Sequence, residues 1–546
     1  MSPMPLDELV LALQHGLDRA IRRLRVGPAP EAGARRRLLI VQIDGLAREV
    51  LEQALAEGRM PFLARLLRHE GWRLCRMNVG LPTSTPAFQM GVLYGVRPDI
   101  PGFHYHDKIR GSDIYFPRAG DAAHVESTQA GGRRGILEGG SAYACVFTGG
   151  AVNNLFSFAM IKRPSGRGVL AFVSAIVVVA WVVVKCIVLT GVELLRAVLR
   201  LIADPVGEAA RGWKWLAIKL GLSVWLRELF TLSASRDVYA GAPAVYVNYL
   251  DYDVFAHAFG PRHRRALRSL RHVDRSIRQL WRVVRRVPGH RYEMYVLSDH
   301  GQAHCRPYQT VSGGQPIERV FFQTFFRPAG LHEVSPSAPH GRRLAAGIRA
   351  FRSHRAPGAV QRFMNYLERD FPRLMGELPE SHERDGVRVI GAGPNAFVYF
   401  LDRPDPLTIE DVDGRYPGLA DEVARSRGVG FVLARSRGGR PLCLWRGKRY
   451  PVDGEAVGPF VGRADWPLVA AGIRDLMAMR CAGDLVIYGH DSPDGTVSYV
   501  AEVGAHAGPA PEEMECFVVC PPGVTLPEPI THPTQLYPHF AAYGAG

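Results

Sequence analysis

Acidic and histidine side chains follow three apolar, β-rich runs of the sequence. The runs are LLIVQIDG, AVYVNYLDYDVFAH and MYVLSDHGQAH, and the side chains are Asp44, Asp251, Asp253, His257, Asp299 and His300. Near-continuous apolar runs of this length are typical of parallel strands buried on both faces. Because ligands of open α/β sheets bind beyond the carboxyl ends of the strands, we expect these side chains to converge on one edge. Clustered carboxylates repel each other unless cations lie between them, and mixed Asp and His ligation indicates zinc or a similar transition ion.

A candidate nucleophile lies in the stretch LPTSTPAFQMGVLYG, residues 81–95. It predicts a short helix with Thr85 as N-cap, Pro86 at the first helical position and Gly95 just past the end. The start of a helix offers free backbone N–H groups and a partial positive charge, which suit a bound phosphate. Thr85 is therefore either a nucleophile that attacks a phosphoryl group or only a helix cap.

These motifs resemble, in the same order, those of the alkaline phosphatase superfamily, specifically its type I phosphodiesterase/nucleotide pyrophosphatase branch. PTSTPAFQMGVLYGVRPDIPGF is similar to the segment that carries the branch's catalytic Thr, and LDYDVFAHAFGP resembles its segment with an Asp and a His four residues apart. LSDHG is its most recognisable string, and VAEVGAHAGPAPEEMECFVVCP supplies the expected last histidine, His506. The resemblance covers roughly residues 36–310 and 480–525.

The resemblance implies two divalent metal ions, zinc being the expected element, beside a threonine nucleophile. The implied ligands are Asp44, Thr85, Asp299 and His300 for one metal, and Asp253, His257 and His506 for the other. Two such ions about 4 Å apart stabilise the attacking and leaving oxygens of an in-line displacement. The expected reaction therefore runs through a phospho-threonine intermediate, which water then hydrolyses.

Two departures from the family pattern concern the substrate site. Where the branch usually has an Asn beyond the nucleophile to hold a phosphate oxygen, this chain has His106 in the string FHYHDK. His106 either takes that substrate-binding role or is a residue of a surface loop. In addition, Pro86–Ala87 replaces the usual aromatic-Pro pair, so we expect a different substrate wall beside Thr85.

Composition limits the class of protein. A chain of 546 residues that is 47% hydrophobic can bury a large core and predicts two or more domains. A net charge of +15 with a pI near 9.6 allows anionic partners, whether nucleic acid, a phosphorylated substrate or a membrane surface. The eight cysteines show no zinc-ribbon spacing, and Cys516 and Cys520 fall on one face of a predicted strand as core thiols. A reducing compartment fits this pattern.

A hydrophobic run interrupts the candidate catalytic region. Residues 169–192, VLAFVSAIVVVAWVVVKCIVLTGV, contain a single charged side chain, Lys185. As a helix this run is about 36 Å long, enough to cross a bilayer, whereas buried core helices rarely lack a polar face over this length. Because Thr85 and Asp253 must meet in one site, the chain must return or never fully cross, and residues 212–234 are the candidate return limb, in or across the surface. We predict a membrane-associated helical hairpin over residues 165–235.

The start of the chain bears on where the protein is located in the cell. Residues 1–26 predict an amphipathic helix rather than a signal peptide, and this helix either packs on the protein or lies on a membrane surface. Without an export signal in the first 165 residues, we expect the catalytic domain to stay cytoplasmic, at the plasma or inner membrane.

The basic stretch 261–287 has apolar positions at helical spacing and predicts an amphipathic helix. Because aromatic interleaving is lacking there, no nucleic-acid partner is expected.

The family motifs stop over residues 311–480. In this range ERVFFQTFF, VRVIGAGPNAFVYFL and GVGFVLARS predict strands, and LAAGIRAFRS, VQRFMNYLERDF and ADEVARSR predict helices. The Gly-rich GAGPNA, residues 391–396, is best interpreted as a strand-end turn because it lacks P-loop spacing. The Pro-rich tail, residues 521–546, is expected either to pack as coil or to be loose.

The predicted architecture is an α/β, alkaline-phosphatase-like fold with a mostly parallel central sheet, helices on both faces, an inserted hydrophobic hairpin and a smaller α+β middle region. The predicted segments are 1–35 (helix and linker), 36–310 (first part of the catalytic core), 165–235 (hairpin), 311–480 (variable middle or cap) and 481–546 (last part of the core and tail). The predicted function is a two-metal phosphodiesterase acting on a lipid-linked or nucleotide phosphoester. The alternatives are a phosphomonoesterase of the same fold and a membrane-tethered binding protein without catalysis.

Overall fold

The structure is a computed structural model that describes residues 36–155, 181, 183–195, 197–198, 221–287, 290–325 and 382–543. Twenty strands occur in these residues, and most of them belong to two large sheets. The strands are β1 (Arg36–Ile43), β2 (Arg73–Asn78), β3 (His104–Asp107), β4 (Ser112–Tyr115), β5 (Ser141–Tyr143), β6 (Asn153–Leu155), β7 (Ala244–Tyr249), β8 (Arg291–Leu297), β9 (Ala303–His304), β10 (Arg306–Pro307), β11 (His382–Arg384), β12 (Val387–Gly391), β13 (Asn395–Phe400), β14 (Phe431–Arg435), β15 (Pro441–Trp445), β16 (Lys448–Pro451), β17 (Leu485–Tyr488), β18 (Val497–Ser498), β19 (Gly504–Ala505) and β20 (Glu515–Cys520).

The first sheet has the strand order β2-β20-β8-β1-β7-β5-β6. The strands β8, β1, β7, β5 and β6 run parallel, β20 pairs antiparallel with β8, and the edge strand β2 pairs antiparallel with β20. This confirms the predicted α/β class with a mostly parallel sheet. The apolar run of β1 is buried on both faces, since consecutive side chains from Leu38 to Val41 have no exposed surface.

Helices cover both faces of the first sheet. On the side of Leu39 and Val41 the core includes side chains from the helices Arg48–Ala56, Pro61–His69, Arg227–Ala240, Asp251–Phe259 and Arg264–Arg286. On the side of Leu38 and Ile40 it includes side chains from the helices Thr85–Tyr94, Ala119–Gln129, Trp466–Ala478 and Tyr537–Ala541. The helix Arg264–Arg286 confirms the amphipathic helix predicted over residues 261–287, because its apolar side chains enter the first of these cores.

The second sheet is antiparallel, with the order β11-β12-β13-β17-β14-β15-β16. The helices Ile317–Thr324, Ile409–Arg415 and Leu419–Ala424 contribute to its core. The strands predicted in VRVIGAGPNAFVYFL and GVGFVLARS are present as β12, β13 and β14. Strand β17 lies at the centre of this sheet, although the predicted division at residue 481 put it in the first one. The second sheet, which the middle region forms, therefore includes a strand that follows the predicted end of this region at residue 480.

Three local predictions differ from the structure. ERVFFQTFF is not a strand, because Ile317, Phe321 and Phe322 meet the second core at helical spacing in the helix Ile317–Thr324. The N-cap of the helix Thr85–Tyr94 is Ser84, so Thr85 is the first helical residue. The Pro-rich tail is not only coil, since it forms the helix Tyr537–Ala541, whose Phe540 is fully buried.

Only part of the predicted hairpin lies in the described residues. Residues 183–195 are helical and contact the segment that leads into the helix Arg227–Ala240. The Lys185 ammonium lies 2.6 Å from a carboxylate oxygen of Glu228, and Trp225 donates a hydrogen bond to the hydroxyl of Thr190 at 3.1 Å. Among the helices of the described ranges, none combines the length and hydrophobicity needed to cross a bilayer. The remainder of the hairpin, the helix predicted over residues 1–26 and those predicted over 344–371 lie outside the described residues.

Candidate metal centre

Three parallel strands deliver the predicted acidic residues to one edge of the first sheet. Strand β1 lies between β8 and β7, and Asp44 directly follows β1, its N–H bonded to the carbonyl of Tyr249 at 3.1 Å. Asp253 lies in the first turn of the helix that follows β7, and Asp299 follows β8 after one residue. We call this edge, at the carboxyl ends of β8, β1 and β7, the metal edge. The convergence predicted from the apolar runs is therefore present.

One group of candidate ligands surrounds the threonine. Ligand atoms of Asp44, Asp299 and His300 all lie within 4.8 Å of one another. The Thr85 hydroxyl lies 3.2 Å from Nε2 of His300 and 3.5 Å from a carboxylate oxygen of Asp44. The four residues that the resemblance assigns to one metal are thus in mutual contact.

A second group adjoins the first. Ligand atoms of Asp253, His300 and His506 lie within 4.8 Å of one another, and the rings of His300 and His506 stack with centroids 3.7 Å apart. His257 contacts this group from its own helix, with Nε2 3.4 Å from an oxygen of Asp253. His300, which the resemblance gives to one metal, therefore lies between both groups. The sequence did not indicate this shared position.

Burial and mutual repulsion govern the carboxyl groups. Burial, and then the charge of Asp253, raise the pKa of Asp44. The pKa of Asp299 is raised to about 7 by burial and by the neighbouring Asp44. For Asp253, burial acts in the same direction, but the charges of His257 and His300 outweigh it and hold the pKa well below its usual range. The protein thus concentrates three carboxylates where water screens them poorly.

The histidines differ in the direction in which their surroundings shift the pKa. Although burial opposes protonation of His257, the carboxylates of Asp253 and Glu502 raise its pKa well above the usual value. The pKa of His300 is raised to about 9 because neighbouring carboxylates outweigh its burial. His506 differs, since burial and the positive charges of His300 and His257 lower its pKa well below the usual value.

These side chains fit divalent cations. One oxygen of Asp299 is buried and accepts no hydrogen bond, which is costly for an acidic group unless a cation or a proton meets it. The donors of the two groups are carboxylate oxygens and imidazole nitrogens only, a set that suits zinc and similar ions. The arrangement supports metal binding at both groups, while zinc as the element stays a prediction.

Polar residues that the sequence analysis did not single out hold the ligands in place. Asn248 donates to Asp44 at 2.5 Å, and Gln302 donates to Asp253 at 2.5 Å. Nδ1 of His257 lies 2.9 Å from a carboxylate oxygen of Glu502. A signal for Asn248 was present, because it is a polar residue inside the apolar run AVYVNYL, fully buried on β7.

A buried acid ties together the two loops that approach the metal edge. One oxygen of Glu513 lies 2.5 Å from Nε2 of His490. The other accepts the Gly508 N–H at 2.6 Å and lies 3.1 Å from the hydroxyl of Thr83. The same hydroxyl accepts the N–H of Ala507 at 2.9 Å, so the segments before Thr85 and after His506 are joined. No spacing in the sequence pointed to this network.

His106 lies in a different buried cluster. Its Nδ1 is 2.8 Å from a carboxylate oxygen of Asp113, which also meets Arg388 at 3.0 Å, and its ring packs edge-on against Tyr399. With 3% of its surface exposed, His106 is not a surface-loop residue. Within the described residues no hydrogen bond or ion pair joins it to Thr85. A role in substrate binding stays a prediction.

A family model matches part of the chain. A model described as "Type I phosphodiesterase / nucleotide pyrophosphatase" matches residues 207–382 of the 546 in the chain. This match covers less than half of the chain. The matched range holds Asp253, His257, Asp299 and His300, and the match indicates a metal-dependent hydrolase of phosphoric esters.

Solved structures and curated sequences complete the comparison. Two structures of phosphonoacetate hydrolase from Sinorhizobium meliloti 1021, in complex with phosphonoformate and with phosphonoacetate, are similar at 13% sequence identity. Each comparison covers 94% of this chain and 96% of the other, with TM-scores of 0.45 and 0.46 respectively. No curated protein sequence matches this chain significantly.

Proposed function

We propose that the protein is a two-metal phosphodiesterase that forms a covalent phospho-threonine at Thr85. The observation that carries this proposal is the position of the Thr85 hydroxyl, 3.2 Å from His300 and 3.5 Å from Asp44 in the first turn of its helix. A threonine that served only the helix would have no reason to face a buried carboxylate and an imidazole. Ser84, in contrast, occupies the N-cap position itself.

The candidate ligands divide between two ions as the family pattern assigns them. Asp44, Thr85, Asp299 and His300 would hold one ion, and Asp253, His257 and His506 the other, with His300 close to both. When bound, the two ions supply a lowered pKa for a coordinated hydroxyl or water and neutralise charge on the phosphate oxygens. Zinc is the element that we propose.

The residues of the chain act as follows. The Thr85 hydroxyl gives its proton to water, its oxygen attacks phosphorus, an O–P bond forms, and the bond from phosphorus to the leaving alkoxide breaks. The alkoxide takes a proton from water and leaves as an alcohol. A water molecule then attacks the phospho-threonine, which returns the Thr85 hydroxyl and releases a phosphomonoester. The first N–H groups of a helix have no intrahelical acceptors, so the start of the Thr85 helix favours the phosphate charge in both steps.

The substrate class that we propose is a phosphodiester, either lipid-linked or a nucleotide. A threonine nucleophile resembles the phosphodiesterase branch more than the monoesterases, which usually use serine. The test is the release of p-nitrophenol from bis-p-nitrophenyl phosphate and from p-nitrophenyl phosphate by the full chain with zinc supplied. We expect the diester to be preferred, and equal or better hydrolysis of the monoester would overturn the choice of diesterase.

The covalent intermediate has its own test. Rapid acid quenching during turnover, followed by proteolysis and mass spectrometry, should recover a phosphorylated peptide that contains Thr85. The Thr85→Ala variant should yield no such peptide while it still binds metal. If the wild-type enzyme turns over rapidly and no phosphopeptide accumulates even at low pH, direct attack by water would replace the covalent route.

A further inference from the structure

Exposed apolar side chains are concentrated on the helix at residues 183–195 and its surroundings. Of the twelve large hydrophobic residues that are exposed in the described part of the chain, nine lie here, each between 37% and 61% exposed. We call them the apolar surface: Val183, Val184, Ile187, Val188, Val192, Leu194, Leu195, Val198 and Trp225. Single exposed hydrophobics are ordinary, but a contiguous group of this size marks an interaction site.

The helix that carries the apolar surface is fixed to the body of the enzyme. Cys186 is fully buried in the core beside the first sheet, and Trp181 packs against the same core. The Lys185–Glu228 ion pair and the Trp225–Thr190 hydrogen bond hold its other side. The outward apolar side chains are therefore presented by a docked helix.

A row of positive charge lies on the helix Arg264–Arg286. Six exposed arginines recur at intervals of three, four or seven residues, opposite the buried side chains Leu267, Leu270 and Ile277. We call them the arginine stripe: Arg264, Arg268, Arg271, Arg275, Arg278 and Arg285. The one acid in this helix, Asp274, is buried and accepts the N–H groups of Phe62 and Leu63 at 2.9 Å. It therefore points into the core and not along the stripe.

The apolar surface and the arginine stripe lie on one side of the first sheet. Both helices contribute to the same core, and the helix Arg227–Ala240 packs against the helix Arg264–Arg286. The same group of contacts reaches the metal edge, because Arg227, next to Glu228, pairs with Asp251 at 3.0 Å. Asp251 is two residues before Asp253. The helix that carries the apolar surface is thus linked to the candidate metal centre through Glu228, Arg227 and Asp251.

We propose that the apolar surface and the arginine stripe dock the enzyme on an anionic lipid bilayer, with the metal edge close to the headgroups. Apolar side chains enter the interface, while arginines reach lipid phosphates with their guanidinium groups. Nucleic acid would satisfy the arginines but leave nine apolar side chains in water. A second copy of the chain would cover the apolar side chains but bring like charges together. An anionic bilayer satisfies both at once.

This docking specifies the substrate, and that part rests on the proposed function. An enzyme held with its metal edge at the headgroups meets phosphodiesters of lipids at high local concentration. The substrate class is therefore a phosphodiester whose alcohol is anchored in the bilayer. We expect the enzyme to cleave phosphatidylglycerol in vesicles faster when docking is intact.

Vesicle binding tests the surface without any catalytic step. The full chain is floated with vesicles of phosphatidylcholine alone or with about 30% phosphatidylglycerol, at low and high salt. We expect binding to the anionic vesicles that weakens with salt. The variants R268Q/R271Q/R275Q/R278Q and I187Q/V188Q/L195Q should each lower the bound fraction about tenfold or more. Their matched controls, R403Q/R427Q/R474Q/R480Q and I109Q/V152Q/V461Q, change the same number of exposed residues elsewhere and should bind as the wild type does.

Hydrolysis of soluble bis-p-nitrophenyl phosphate separates the two proposals. We expect both surface variants to keep this activity, which shows that they fold, while they lose hydrolysis of phosphatidylglycerol in vesicles. Vesicle binding without hydrolysis of any diester would overturn the proposed function and leave the docking surface intact. Wild-type binding by both surface variants, or dimers of the wild type that either variant dissociates, would overturn the docking surface.

Discussion

Nδ1 of His506 lies 2.8 Å from the main-chain carbonyl oxygen of Thr83, two residues before Thr85. A carbonyl oxygen only accepts hydrogen bonds, so Nδ1 carries the proton and the lone pair is left on Nε2. The lowered pKa of His506, caused first by burial and then by the charges of His300 and His257, keeps this ring neutral. One hydrogen bond thus selects the tautomer that can bind a metal and ties that ligand to the nucleophile segment.

Thr85 is the first residue to test. Because its hydroxyl is the only proposed nucleophile, Thr85→Ala should lower kcat for bis-p-nitrophenyl phosphate about a thousandfold or more. Thr85→Ser keeps the hydroxyl and should retain measurable activity. Zinc content, measured by atomic emission, should stay at or near the wild-type value in both variants. Activity of the alanine variant within tenfold of wild type would contradict the nucleophile assignment.

Glu513 should act through position and not through contact with the substrate. Glu513→Ala leaves His490 and the Gly508 N–H without their acceptor and removes one of the two acceptors of the Thr83 hydroxyl, which should lower the free energy of unfolding by about 3 kcal/mol. Zinc affinity should fall with it, because the loop that carries His506 loses the Glu513 contacts to Gly508 and Thr83 that help to hold it in place. The neighbouring exposed Glu512 provides the control, and Glu512→Ala should change neither the melting curve nor zinc binding. Unchanged zinc affinity in a stable Glu513→Ala protein would refute the positioning role.

Substitution of Asp299 should have opposite effects on the stability of the metal-free protein and on metal binding. Burial and the charge of Asp44 raise its pKa to about 7, so above neutral pH its ionised form weakens the metal-free fold. Asp299→Asn removes that charge and should raise the melting temperature of metal-free protein at pH 8. The same variant should gain little or no stability when zinc is added, whereas the wild type should gain several degrees. Exposed Asp453→Asn is the matched control and should behave as the wild type does.

Metal binding should depend on pH in a defined direction. The pKa values of Asp299, about 7, and His300, about 9, are both raised, so metal-free protein holds protons that a metal must displace. Apparent zinc affinity should therefore increase from pH 6 to pH 9 in competition titrations with a chelator. Stability of the metal-free fold runs the opposite way, because a raised folded-state pKa contributes stability that is lost as pH rises through it. An affinity that is flat over this range would contradict both assignments.

The sequence carried most of what was needed to locate the site. Asp44, Asp253 and Asp299 could be placed at one edge because buried parallel strands have a recognisable apolar pattern and a fixed direction relative to the ligand site. The nucleophile helix was predicted to within one residue, since Pro86 and Gly95 mark the start and end of a helix by their own backbone preferences. These signals are local, and a linear chain displays them directly.

Elements that depend on distant contacts were misjudged. Aromatic residues in ERVFFQTFF suggested a strand, but the apolar core under the second sheet receives them from the helix Ile317–Thr324. Strand β17 pairs with β13 and β14, and no feature of its four buried residues names those partners. Strand pairing is a choice among many apolar partners, which only packing of the whole core decides.

The sequence by itself determined which residue types reach the metal edge, because strand direction and helix starts follow from short-range sterics and burial. Only the tertiary structure decided that His300 lies between both ligand groups, that Glu513 joins the segments of Thr85 and His506, and that an apolar helix faces outward near Arg227. Each of these relations is a contact between segments that are far apart along the chain. Their energies depend on burial and charge in the assembled fold, which no local pattern records.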